Sequence, residues 1–347
     1  MNQADQQRVR ATIVGSLPKP GWLAKPGELY PPWRLEGATL EEGKEDAVRL
    51  WVAAQERAGL DVVTDGEQRR RHYIWAFFEG LEGIDTVNPA MRAQRAQRYH
   101  KEIAAARLIG EPTYRGAIFV DALRATRAMT GKPIKVTLPG PMTIVDSIVD
   151  TIGGRTEAAL AMRFAELLNL EARALAKAGA AVIQFDEPCF NVYVDKVKDW
   201  GLATLERAAE GVAAIKAVHI CYGYGTADVK RWKSANRDWS HYEATLPLLA
   251  KSSIDQVSVE TAASGVDIGV IEALRGKDVL LGVIDVGSEA VETPQIVAQR
   301  LNAALRYSDP EHLYACTDCG MLPLSRKAAD GKLHALAAGT RLVNAMQ

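Results

Sequence analysis

His219-Ile220-Cys221 puts an imidazole and a thiol two residues apart. In an extended segment such residues point to the same side, so both can reach one ion. Neutral imidazole and thiolate are zinc's preferred donors. Cys316-x-x-Cys319 adds two thiols further on, and Glu260 offers a carboxylate oxygen. His219, Cys221, Glu260 and Cys319 make a four-coordinate set of one nitrogen, one oxygen and two sulfurs. Cys316 is read as a neighbour and Cys189 as a packed thiol. The same residues also fit a core histidine beside a core cysteine, and a redox dithiol. The dithiol lacks the βαβ context of redox motifs. Four cysteines in 347 residues form no disulfide scaffold, and clustered thiols then point to metal or catalysis.

Two further motifs carry paired carboxylates: Asp65-Gly66-Glu67 and Asp186-Glu187-Pro188. An isolated Asp is often only a helix cap. Several carboxylates beside a metal instead suit recognition of a substrate ammonium. The run Arg69-Arg70-Arg71-His72 suits either a solvated helix start or an acidic ligand.

Eight β-rich runs must position these groups: 11–15, 61–64, 134–138, 180–185, 217–220, 256–259, 279–284 and 312–315. Most are continuously apolar, the mark of strands buried on both faces. Amphipathic helical patterns cover 40–58, 156–178, 205–215, 267–274, 294–305 and 325–344, the second stopping at Gly179. Alternation of this kind implies a parallel sheet, and eight units imply a single (β/α)8 TIM barrel over residues 1–347. An open doubly wound sheet is the competing architecture, but no GxGxxG follows the first run. Residues 66–133 are too long for one connection. They contain the Arg/Gln/Ala-rich stretch Met91–Leu108 and the segment Glu111–Gly116, and we read an insertion that includes a helical segment and forms a cover or an interface. In this barrel, the ligand-type residues fall at the C-terminal strand ends, where barrel active sites are built.

Composition narrows the class. Lys plus Arg is 42 against 43 Asp plus Glu, for a net charge of -1, which argues against a nucleic-acid partner. No apolar run reaches the ~18 residues of a membrane span. The first ten residues are polar and lack a signal peptide's apolar core. A cytoplasmic protein is expected.

The ordered motifs Ile13-Val14-Gly15-Ser16-Leu17-Pro18, Asp65-Gly66-Glu67, Gly140-Pro141-Met142-Thr143, Ile183 to Pro188, His219-Ile220-Cys221, Val259-Glu260 and Asp318-Cys319-Gly320 resemble the catalytic domain of the cobalamin-independent methionine synthase family. They span nearly the whole chain, which looks like a short, core-only member. The resemblance implies a catalytic Zn2+ on His219, Cys221, Glu260 and Cys319. It implies L-homocysteine held through Ser16 and the backbone near Val14, with Glu67 and Asp186 on its amino group, and methyl transfer to its sulfur. Three positions depart from the long members: Ser147 replaces a Trp that stacks on the folate pterin, Val192 replaces a Glu that holds it, and Gly287 replaces a proposed acid His. All three lie on the donor or proton-delivery side. The donor is therefore expected to be methyltetrahydrofolate in an altered pose, a corrinoid protein or another carrier, or the product of a partner protein. The same core resembles epoxyalkane:coenzyme M transferase, which would change the thiol. A metal-dependent hydrolase and a structural zinc protein are the other readings. Two thiolates argue against the first, and the strand-end carboxylates against the second.

Overall fold

The computed structural model describes residues 8–97 and 102–346. Ten strands lie in chain order: β1 (Arg10–Ala11), β2 (Leu81–Arg92), β3 (Ile103–Tyr114), β4 (Lys135–Pro139), β5 (Ile148–Asp150), β6 (Val182–Asp186), β7 (Ile215–Ile220), β8 (Gln256–Glu260), β9 (Asp278–Ile284) and β10 (Leu313–Thr317). Seven form one parallel sheet in the order β1-β10-β9-β8-β7-β6-β4. The gap between its edges is filled by residues 61–64. Asp61 N donates to Ala11 O at 2.9 Å on one side, and Val63 bridges Ile134 in parallel on the other, with Lys135 N on Val63 O at 2.9 Å. The sheet thus closes on itself as the expected barrel.

The barrel strands β4, β6, β8 and β10 are buried along their whole length, as their apolar runs require. Helices wrap them and begin on the caps that the sequence provides. Thr156, Thr293 and Ser325 accept hydrogen bonds from Ala159, Ile296 and Ala328 amides. Gly179 ends the helix Glu157–Lys177 at φ 97°, a left-handed conformation that costs glycine little. The pattern at 205–215 differs: the helix is Leu202–Ala209, and Ile215 already belongs to β7. The 267–274 pattern is a 3-10 helix over Ile268–Leu274.

The insertion needs a larger correction. Its centre is an antiparallel hairpin, not a helix: β2 pairs with β3 from Leu81↔Tyr114 to Arg92↔Ile103, and β5 joins β3 in parallel. Alanine-rich composition favours a helix locally, but burial of Ala105, Ala106 and Leu108 against the neighbouring strand outweighs that weak preference. Residues 98–101 of the Arg/Gln/Ala-rich stretch, and 1–7 of the polar N-terminal segment, lie outside the described residues. Among the described residues, helices in this region are the short Tyr73–Glu79 and Val120–Arg127 and the three-residue 3-10 turn Arg95–Gln97. No helix among the described residues is long and apolar enough to cross a membrane.

Candidate active site

Strand register assembles the site. Asp186 on β6 pairs with His219 on β7, and His219 with Ser258 on β8. Ser258 Oγ lies 2.8 Å from His219 Nδ1, which fixes the ring and leaves Nε2 buried with no hydrogen-bond partner among the described residues. The donor atoms of His219, Cys221 and Cys319 fall within 4.8 Å of one another. The two sulfurs are 3.4 Å apart. Thiolates bound ~2.3 Å from one tetrahedral zinc would sit ~3.8 Å apart, so the spacing needs little adjustment. The contact with Cys319, helped by His219, draws the Cys221 thiol well below its ordinary range and pushes Cys319 above it. Burial is the largest influence on His219 and pulls it down, but Cys221 and Asp186 together outweigh it and hold the imidazole raised. A soft, fully buried N/S/S set with an orphaned imidazole nitrogen fits a zinc ion.

Glu260 is fully buried at the end of β8 but stands outside that triad. Gly282 faces it across the ladder, where a side chain would strike Asp318. Cys316 packs apart, with Val14, Leu280 and Tyr314, and Cys189 is wholly buried. Asp285 serves its own turn, accepting from the Gly287 amide.

The same cavity is lined by Val14, Ser16, Glu67, Tyr73, Asp186 and Tyr224. Burial raises Asp186 to about 7, with Glu67 adding to the shift and His219 opposing it. Burial likewise raises Glu67, against Arg70 and Thr137. Gln184 Nε2 donates to Asp186 at 2.8 Å, and Thr137 Oγ1 to Glu67 at 2.8 Å. Glu67 holds its backbone at φ 57°, left-handed without being glycine, steadied by its N–H on Asp65 Oδ1. Val14 O accepts from Gln184, and Val14 N donates to Thr317. Ser16 is buried against Gly320, where an added Cβ would come within 2.0 Å of Ser16 Oγ. Two buried carboxylates with raised pKa values thus face one cavity, an arrangement that suits a cation.

Glu187 has a different task from Asp186. Its carboxylate accepts from the Met142 and Thr143 amides at 2.9 and 3.0 Å, clamping the Gly140-Pro141-Met142-Thr143 turn. A side chain at Gly140 would collide with it at 2.1 Å. The arginine run is likewise internal. Arg70 binds Thr137 O, Arg71 pairs with Glu79, and His72 caps Tyr73–Glu79. Burial holds His72 neutral, down to about 3.

Sequence reading missed Tyr73, Tyr224, Lys19 and Lys233. Tyr224 stands three residues after Cys221, the one signal available for it. Lys19 lies 3% exposed near Glu67, and burial lowers it to about 8. Tyr73 and Tyr224 also line a second cavity with Tyr30, His72, Trp75, Arg95 and Ser147. Its volume is about 200 Å³ against about 30 Å³ for the thiol cavity. Ser147 is buried there under the Arg95 guanidinium, 2.8 Å from its hydroxyl.

Comparison with known proteins agrees with this geometry. The family described as cobalamin-independent synthase, catalytic domain, matches residues 10–341. A methionine synthase from Saccharolobus solfataricus is 30% identical over 337 residues, 96% of this chain and 94% of that protein. One from Sulfurisphaera tokodaii is 29% identical over 96% of this chain and 91% of its own. A B12-independent methionine synthase from Shewanella, solved with selenomethionine, superposes with a TM-score of 0.94 at 43% identity over 98% of both chains. The chain belongs to the cobalamin-independent methionine synthase family, through its catalytic domain, and is a methyltransferase of that type.

Proposed function

We propose that this single barrel is a zinc-dependent methyltransferase that converts L-homocysteine to methionine. The observation that carries the reading is the meeting, in one buried cavity, of an N/S/S donor set with two carboxylates of raised pKa. His219, Cys221 and Cys319 would hold the metal, with Glu260 beside them. When bound, zinc supplies what a free thiol of pKa ~8.5 lacks at neutral pH, a stable thiolate.

The chain's own residues do the rest. Glu67 and Asp186 take the substrate ammonium, whose arrival lets both ionise in a buried site. Thr137 and Gln184 aim those carboxylates. Ser16 and the backbone near Val14 hold the amino-acid end of the substrate. The same carboxylates disfavour an anionic thiol such as coenzyme M, by like-charge repulsion. The methyl donor, be it methyltetrahydrofolate, a corrinoid protein or another carrier, approaches through the second cavity, past Tyr73 and Tyr224. The free, buried cysteines fit a reducing, cytoplasmic setting.

Zinc X-ray absorption, with and without L-homocysteine, tests this reading. Two sulfur ligands should become three. Absence of zinc, or a sulfur count unmoved by saturating homocysteine, would remove it.

A further inference from the structure

The two cavities share one wall. Among the described residues, Tyr73 and Tyr224 are the two that line both. Their rings meet edge to face, with centroids 6.5 Å apart and planes at 62°. Each is anchored from a different side. Tyr73 opens the helix Tyr73–Glu79, and its hydroxyl accepts from Arg95 Nη2 at 3.3 Å, on the side of the second cavity. Tyr224 packs on the thiol side against Gly320, where an added Cβ would come within 2.9 Å of its ring. The run Gly223-Tyr224-Gly225 explains how that ring is placed. Gly223 turns the chain at φ 113°, a conformation that favours glycine. Gly225 approaches Val286 so closely that a Cβ would strike its carbonyl oxygen at 2.1 Å. The backbone is thus fixed on both sides of Tyr224.

Building on the function proposed above, we infer that the Tyr73–Tyr224 pair is the passage for the transferring methyl group, and that Tyr224 is a specificity-determining residue that contacts this group and selects it over larger alkyl groups. In the transfer, the homocysteine sulfur, as thiolate, forms the new S–C bond with its own electron pair. The bond from carbon to the donor atom breaks, and its pair leaves with the donor. Both bonds lie in line, so acceptor and donor must stand on opposite sides of the carbon. The two cavities have that arrangement about their shared wall. Midway, the carbon is flat and electron-poor. Aromatic faces and phenol oxygens attract such C–H groups. A longer alkyl group has to push against rings that are anchored. Burial also pushes the Tyr224 phenol well above its ordinary range, so it stays neutral. A phenolate there would compete with the thiolate for the methyl group.

Iodomethane and iodoethane test this passage, because they differ in size and carry no recognition group. Homocysteine-loaded protein is treated with each, and the methionine and ethionine formed are measured by mass spectrometry. The readouts are the methyl-to-ethyl ratio, divided by that of free homocysteine thiolate, and the affinity for homocysteine. The wild-type protein should prefer methyl by about tenfold or more, since one methylene too many in a fitted site costs roughly 10- to 200-fold. Tyr224→Ala should lose most of that preference and keep its homocysteine affinity. Tyr224→Phe retains the ring and should retain the preference, its methyl rate falling roughly two- to fivefold for one weak C–H···O contact. A wild-type ratio equal to that of the free thiolate overturns the inference. So does a Tyr224→Ala variant slowed equally with both iodides, or one that loses homocysteine affinity and keeps its selectivity. Should Tyr224→Ala not fold, Tyr224→Leu takes its place, with a fall in the same direction expected. If the wild-type protein neither binds homocysteine nor speeds its alkylation, the proposed function itself falls. If it does both without selecting methyl, only the passage is removed.

Discussion

The two cavities that meet at Tyr73 and Tyr224 are made of different material. The thiol cavity is built on barrel strand ends and carries soft donors and carboxylates whose charge is held in suspense by burial. The second cavity is walled partly by the insertion, and its side chains are mostly aromatic or apolar, with His72 held neutral. Arg95, its cation, is already tied to Asp146. The first is therefore specified by charge and coordination, and the second by shape. A sequence can keep the first intact while the second is remade, and Ser147, one of the three positions that depart from the long synthases, lines the second cavity.

This contrast can be broken. The largest effect should come from Cys319→Ser. Loss of a direct ligand should lower zinc content and methyl transfer by more than the ~100-fold typical of losing an outer partner. Retained zinc with full activity would detach the metal from the acceptor side. Next, Glu67→Gln should raise the KM for homocysteine roughly 10- to 150-fold, matching the ~1.5–3 kcal/mol of a hydrogen bond to a charged group. A normal KM would move ammonium recognition elsewhere. On the donor side, Ser147→Trp should not restore the long members' pterin stack, because Arg95 fills that place. It should instead cost about 1–3 kcal/mol in denaturant unfolding through overpacking. Efficient use of methyltetrahydrofolate by that variant would show the second cavity to be unchanged in kind.

The smallest effect is a pH slope. An unfolded glutamate ionises near ~4.3, whereas burial holds Glu187 up to about 7. Between those values the unfolded chain releases a proton that the folded chain keeps, so Glu187 makes stability fall as pH rises through this window. Urea midpoints across that window should show the fall, and Glu187→Gln should make it shallower, leaving the shares of Asp186 and Glu67.

Legibility in the sequence follows the same divide. Strand-end motifs were readable because period-two geometry and ligand chemistry both constrain residue type, which is why His219, Cys221 and Cys319 could be picked out and are found together. The hairpin was not readable, because alanine-rich strands carry no alternation and their pairing is set by Ile148–Asp150, distant in sequence. Lys233 was invisible for a related reason. Nothing near Trp232-Lys233-Ser234 indicates that a helix will carry that ammonium down to a strand end. Glu187 was read beside Asp186, and only the structure separates the clamp from the carboxylate that lines the thiol cavity.

The left-handed backbone at Glu67 has a further consequence. A non-glycine residue there costs roughly 1–2 kcal/mol, and its carboxyl is buried besides. On the role proposed for Glu67, Glu67→Gly would relieve both burdens and yield a more durable protein that no longer grips its substrate. Durability and turnover are opposed at this one residue, so a screen of this enzyme for heat resistance alone would drift toward inert survivors.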